Sequence, residues 1–162
     1  MYAFCVQNRA ALEKAAADLA KLCRPKDVIA LFGDLGMGKT VFARAFIRSF
    51  GRPEEEVPSP TFTLVQTYDV RTGNGGETAV WHFDLYRLKH PDEIYETGFE
   101  EALSDGISLI EWPERAGNRL PGNRLEIHLS AGASPDERRV EIIPLGKTWK
   151  NRTDWETYAG TH

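Results

Sequence analysis

The eight residues Gly33-Asp34-Leu35-Gly36-Met37-Gly38-Lys39-Thr40 constrain this chain more than any other stretch. They satisfy G-x-x-x-x-G-K-[ST], a pattern in which backbone N–H groups wrap phosphate oxygens, the Lys reaches the β and γ oxygens, and the hydroxyl serves Mg²⁺. Such a loop works only between a strand and a helix. Val28 to Phe32 is a continuous apolar run of the length of a strand buried on both faces. After Thr40, Phe42, Ala43, Phe46, Ile47 and Phe50 recur at helical spacing until Gly51 and Pro53 end the helix. The loop therefore meets a helix N-terminus, where unpaired N–H groups and the helix dipole favour an anion. All eight residues are candidate nucleotide-binding positions. A tight turn with a solvated lysine leaves unexplained why Lys39 and Thr40 stand side by side at the helix start.

The rest of the chain alternates strand and helix signals, the mark of an α/β domain. Ala3 to Val6 reads as a strand, and Asn8 as the N-cap of a helix carrying Leu12, Ala16, Leu19 and Cys23 on one face, closed by Arg24-Pro25. Ser59-Pro60-Thr61 opens an expected strand in which Phe62, Leu64, Gln66 and Tyr68 alternate with Thr63, Val65 and Thr67. The cluster Gly73 to Gly76 turns it back as Thr78 to Leu85, an antiparallel hairpin added to the sheet. Ile107 to Ile110 reads as a further buried strand. Arg124 to Leu129 and Arg138 to Ile143, joined by a turn at Gly132 to Asp136, read as a last hairpin. The expected architecture is a P-loop NTPase-like sheet of mixed parallel and antiparallel strands flanked by helices. One domain over residues 1–146 is expected, with a tail over 147–162 to which Trp149, Trp155 and Tyr158 give no evident task.

A chain of 162 residues with 41% hydrophobic and 27% charged residues is of a size and composition to bury one core without staples. No apolar stretch nears the roughly 20 residues of a membrane span, and the N-terminus lacks a signal-peptide layout, so a cytoplasmic protein with no membrane contact is expected. Cys5 and Cys23 form neither C-x-x-C nor a zinc pattern and read as two small buried residues. A net charge of −4 excludes the broad basic face of a nucleic-acid binder; any contact with nucleic acid is expected to be indirect.

Two carboxylates are candidates to join the loop. Asp84 ends the strand "AVWHFDLYRL" as a Walker B carboxylate does when it holds Mg²⁺ or its water, though a strand-end Asp also serves as a simple cap. Glu111 ends "ISLIEWPER", where the carboxyl end of a strand meets the ligand crevice. Trp112 offers a flat π face for a base or a lid, or fills the core. Asn8 and Arg9 line a base pocket, or are a helix cap and a solvated side chain. The guanine-reading N/T-K-x-D motif is absent, which favours adenine and hence ATP. Thr61 either touches a γ-phosphate or Mg²⁺ as part of a switch, or merely starts its strand. His82 and His90 have no metal partner at ligand spacing and read as structural.

Taken in order, GDLGMGKT, VPSPTFTLV, HFDLYRL and LIEWPER resemble the TsaE (YjeE) family, bacterial ATPases of tRNA threonylcarbamoyladenosine biosynthesis, from about Asn8 to about Ile143. The resemblance implies a P-loop fold in which Lys39 contacts phosphate, Thr40 and Glu111 serve Mg²⁺, Asp84 is the Walker B carboxylate, and Ser59-Pro60-Thr61 acts as a switch. Lys39, Thr61, Asp84 and Glu111 are then the catalytic set, and Thr40, Asp84 and Glu111 the metal set. It also implies the partners TsaB and TsaD, which with TsaC place threonylcarbamoyl on adenosine 37 of tRNAs reading ANN codons. Met37 stands where the family usually has Ala. It contributes mainly backbone to the cradle, so binding is expected to survive. Hydrolysis is expected to be slow in isolation, with Arg44, Arg71 and Arg87 the candidates for an arginine finger. A small-molecule P-loop kinase is the contrasting reading; it needs an Arg-rich lid, and "HPDEIYETGFEEALSDG" is acidic instead. A nucleotide-gated binding module with incidental hydrolysis is a third.

Overall fold

A computed structural model describes residues 1–152 and 154–162 as a seven-stranded mixed sheet flanked by helices. The strands are β1 (Tyr2–Val6), β2 (Val28–Phe32), β3 (Val65–Arg71), β4 (Glu77–Asp84), β5 (Ile107–Glu111), β6 (Arg124–Ala131) and β7 (Arg138–Leu145). Their order across the sheet is β1-β7-β6-β2-β5-β4-β3. The inner strands β6, β2, β5 and β4 run parallel, while β3 and β7 pair antiparallel to their neighbours. β2 lies between β5 and β6, which is why its five residues are almost uniformly apolar: neither face meets water.

Helices α1 (Arg9–Ala20) and α2 (Lys39–Arg48) cover one face. Asn8 caps α1 by accepting a hydrogen bond from the Ala11 N–H at 2.9 Å. The face of α2 bearing Phe42, Phe46 and Ile47 packs with Leu19 of α1 and with the side chains of Ile29, Leu31, Leu109 and Ile127. Because side chains alternate along a strand, Val28, Phe83 and Ile110 point the other way. They form a second core with Ile94 and Phe99. The acidic stretch supplies those last two. It folds as a 3₁₀ segment over Pro91–Thr97 followed by α3 (Phe99–Asp105), with its apolar residues inward and Glu100 and Glu101 outward.

The C-terminal residues belong to the first core. α4 (Lys147–Lys150) and α5 (Trp155–Thr161) bury Trp149 and Trp155, and the Trp155 indole N–H donates to the Trp149 carbonyl at 2.9 Å. The Tyr158 hydroxyl donates to the Ala15 carbonyl of α1 at 2.5 Å. Arg152 forms a buried ion pair with Asp27, just ahead of β2.

Two expectations are corrected here. The strand expected from Ser59-Pro60-Thr61 begins only at Val65. Leu64 takes a left-handed φ of 68°, and its N–H bonds back to the Pro60 carbonyl at 2.6 Å, so residues 61–64 form a turn rather than extended chain. Thr61 therefore does not start a strand. Cys5 is exposed on the edge strand β1, whose side chains alternate between core and solvent; only Cys23 is buried. Burial pushes the Cys23 thiol up in pKa, away from reactive thiolate. Among the described residues, no helix is long and apolar enough to cross a membrane.

Candidate functional site

The glycine loop joins β2 to α2 at the carboxyl ends of the parallel strands, the crevice where open α/β sheets take ligands. Gly33 and Gly38 are required by space as well as by conformation, whereas Gly36, at φ 83°, is required by conformation alone. At Gly33 (φ 153°) a Cβ would stand 2.7 Å from the Leu129 carbonyl oxygen of β6. At Gly38 (φ 106°), the residue before α2, it would stand 2.8 Å from Leu12 of α1. The loop is thus held tight against its own sheet. Its outer side is braced by Arg138 of β7, which donates to the Met37 carbonyl at 3.2 Å and to that of Gly36 at 3.5 Å. The Met37 side chain packs against the first core.

Lys39 folds back over the loop and is 5% exposed. Its ammonium donates to the carbonyls of Gly33 and Asp34, the latter at 3.0 Å, and sits 3.9 Å from the centre of the Trp112 ring. Burial lowers its pKa, with Glu111 the first of the charges opposing that shift. Lys39 is thus a cation held by neutral carbonyls and a π face, short of water.

Thr40 and the two carboxylates converge beside it. The Thr40 hydroxyl donates to Glu111 Oε1 at 2.9 Å. Asp84 and Glu111 are direct neighbours in the register of β4 and β5, so both side chains leave the same face. Asp84 acts in two ways at once. Oδ1 accepts the Tyr86 N–H at 3.0 Å, a turn cap, while Oδ2 accepts the hydroxyls of Thr61 at 2.8 Å and Ser59 at 3.3 Å. The turn that replaces the expected strand start is therefore clamped onto Asp84. These groups border a cavity of about 380 Å³, a volume suited to a small ligand. Exposed Leu35 and Tyr86 line it together with Arg87, whose guanidinium lies 4.3 Å from the ring of exposed Phe62. A larger hollow of about 750 Å³ beside β3 holds no comparable set: its Arg71 and Glu77 pair with each other at 3.3 Å on the open surface.

Trp112 has a left-handed φ of 57°, which turns the chain sharply after β5 and lays the indole under Lys39. It is partly buried against the second core and 5.0 Å from the Tyr86 ring. Asn8 and Arg9 lie on the far side of the loop. Asn8 is the helix cap and Arg9 pairs with Glu13 at 3.5 Å, yet both line a smaller cavity of about 180 Å³ with Gly36, Gly38 and Arg138. Of the arginines named as candidate fingers, Arg87 lines the central cavity; Arg44 donates to the Val57 carbonyl and Arg71 lies at the hollow beside β3.

Sequence reasoning missed two residues. His82 is wholly buried, and its Nε2 is 2.6 Å from Glu111 Oε2. The signal was available: His82 is two residues before Asp84, hence on the same face of β4. Arg138 is more than 100 residues from the loop it braces, and nothing local in sequence marks it.

Comparison with known proteins bears on this site. A family model described as "Threonylcarbamoyl adenosine biosynthesis protein TsaE" matches residues 6–140. The chain is 44% identical over 138 residues to the tRNA threonylcarbamoyladenosine biosynthesis protein TsaE of Rickettsia felis, covering 85% of this chain and 77% of that one. It is 36% identical over 139 residues to the Bacillus subtilis protein of the same name, covering 85% and 82%. The crystal structure of Bacillus subtilis YdiB superposes with a TM-score of 0.71 at 27% identity, covering 91% of this chain and 88% of that one. The glycine loop, Asp84, Glu111 and Trp112 all lie within the matched region, and the chain belongs to the TsaE family.

Proposed function

We propose that this chain is a Mg²⁺-dependent ATPase of tRNA threonylcarbamoyladenosine biosynthesis, acting in the cytoplasm on a TsaB–TsaD complex and meeting tRNA only through it. The observation that carries the reading is the convergence of Lys39, Thr40, Asp84 and Glu111 on one cavity at a helix N-terminus. In this reading residues 1–146 carry the nucleotide site, and the C-terminal segment completes the core beneath it.

Each residue has a physical task. Lys39 exchanges its bonds to the Gly33 and Asp34 carbonyls for bonds to β- and γ-phosphate oxygens, and the N–H groups at the start of α2 receive the rest of the negative charge. Thr40 gives its hydroxyl proton to Glu111, which leaves lone pairs on Oγ1 for a cation. The donor set of hydroxyl and carboxylate oxygens fits Mg²⁺. Among the described residues no group of three His, Cys, Asp or Glu side chains holds a metal unaided. That suits an ion usually bound through one or two carboxylates, substrate phosphates and water. Thr40, Glu111 and Asp84 would hold it, and when bound it neutralises charge on the transferring phosphoryl group. Thr61, whose hydroxyl bonds Asp84, exchanges that contact for one to phosphate or metal in this reading, a two-position switch. The cavity at Asn8 and Arg9 and the Trp112 ring are the two candidate seats for the base.

Calorimetry with a non-hydrolysable ATP analogue and MgCl₂ tests the reading. Wild type binds, and Lys39→Ala loses on the order of 100-fold in affinity, the worth of charge-assisted hydrogen bonds. Equal affinity in a folded Lys39→Ala variant contradicts it. A nucleotide-gated module with incidental hydrolysis shares this site and differs only in whether turnover is needed.

A further inference from the structure

Glu111 is 2% exposed, and among the described residues its carboxylate is bonded by only two side chains, one on each oxygen. Thr40 takes Oε1 from the cavity side. His82 takes Oε2 from inside the sheet face. A carboxylate only accepts, so the proton between His82 and Glu111 belongs to Nε2. Nδ1 is buried with no partner among the described residues. The imidazole therefore gives up its hydration for one hydrogen bond. An apolar side chain in register with Leu109 would fill this place without leaving a nitrogen unpaired, so packing does not account for a histidine here.

We infer that His82 is a positioning residue of the nucleotide site: its Nε2–H pins Glu111 in the orientation that lets Oε1 take the Thr40 proton, and so keeps the lone pairs of Thr40 Oγ1 turned to the metal position. The inference rests on the Mg²⁺–nucleotide reading above. His82, Glu111 and Thr40 form one chain of hydrogen bonds from the buried sheet to the first turn of α2, at 2.6 and 2.9 Å. Remove its inner end and Oε2 has no donor. Glu111 is then free to rotate, and the Thr40 hydroxyl loses its fixed acceptor. Groups that orient a metal's ligands without touching the metal typically contribute 10- to 100-fold to its affinity.

The test is ADP binding by calorimetry, with MgCl₂ and with EDTA, for wild type, His82→Gln and His82→Leu, each checked for folding by circular dichroism. Gln carries an N–H at about the reach of Nε2; Leu carries none. For wild type, Mg²⁺ strengthens ADP binding. In His82→Leu that enhancement falls by about 10-fold or more, metal-free ADP affinity stays within about 2-fold, and Gln restores most of the loss. An undiminished enhancement in folded His82→Leu overturns the inference, as does equal weakening with and without Mg²⁺, which marks a structural role. Should His82→Leu not fold, His82→Asn, whose amide is too short to reach Glu111, takes its place with the same two outcomes. Wild type that fails to bind ADP, or is indifferent to Mg²⁺, overturns the nucleotide reading and this inference with it.

Discussion

Replacing Arg152 with Met removes the cation that pairs with Asp27 from the C-terminal segment and leaves a carboxylate that is 4% exposed. The wild-type pair is not simply favourable. Burial raises the Asp27 pKa, and the hydrogen bonds from Arg152 and the Arg24 N–H only partly offset it. The folded protein thus holds the Asp27 proton to higher pH than the unfolded chain does, so ionised Asp27 costs stability at neutral pH and the cost is relieved as pH falls. Without Arg152 the opposing contribution is lost and the pKa climbs further. Breaking a buried pair by removing one partner typically costs about 3–5 kcal/mol. For a domain of this size that corresponds to a fall in Tm of about 10 °C. Urea unfolding of wild type and Arg152→Met at pH 8 and pH 5 checks both parts: the deficit is larger at pH 8 and smaller at pH 5, because acid neutralises the stranded carboxylate. The double variant Asp27→Asn with Arg152→Met recovers most of the loss at both values. The Arg152 guanidinium also lies 4.3 Å from the Trp149 ring. A deficit identical at pH 8 and pH 5 would assign the loss to that stacking and refute the charge argument.

Gly33→Ala should destabilise by about 1–3 kcal/mol in the same unfolding assay, since its Cβ meets a backbone oxygen of β6 that cannot swing aside; an unchanged midpoint contradicts the tight seating of the loop. Trp112 emission should change on ADP binding because its ring lies 3.9 Å from the Lys39 ammonium. In Trp112→Phe most of that response should vanish, and a response that persists in full assigns it to another tryptophan. Thr61→Val removes a hydroxyl from Asp84 Oδ2 while Ser59 stays in place. ADP affinity should hold within about 2-fold while phosphate release falls about 10-fold or more, as for an interaction made chiefly in the transition state; a parallel loss of both places Thr61 in ground-state binding.

The features that could be read in the sequence are those whose cause is local. A buried central strand must be apolar throughout, a P-loop needs its glycines and its Lys-Thr pair, and Asn8 caps its helix by accepting the N–H of Ala11, three residues on. Each is written within about ten residues. The Ser59–Leu64 turn was misread because its alternation of side chains is that of a strand, whereas its conformation is decided by Asp84, more than twenty residues away. Trp149 and Trp155 carried no legible task for the same reason: their burial depends on α1 and β1, which sequence spacing does not bring near them. Asp84 posed a choice between cap and ligand-facing carboxylate. Its two oxygens divide those contacts, and only coordinates separate one oxygen from the other. His82 stands two residues before Asp84, but a histidine without a metal partner at ligand spacing reads as structural, because its partner, Glu111, is on the neighbouring strand.

In the proposed function, nucleotide turnover at this site serves a TsaB–TsaD complex. Phosphate release from Mg-ATP should be measured for the chain alone, for the TsaB–TsaD pair alone, and for the three together, with Lys39→Ala in parallel. The account predicts slow release by the chain alone, at least a several-fold acceleration when the pair is added, and loss of both in Lys39→Ala. A rate with all three proteins that equals the sum of the separate rates, or one that survives Lys39→Ala, contradicts it.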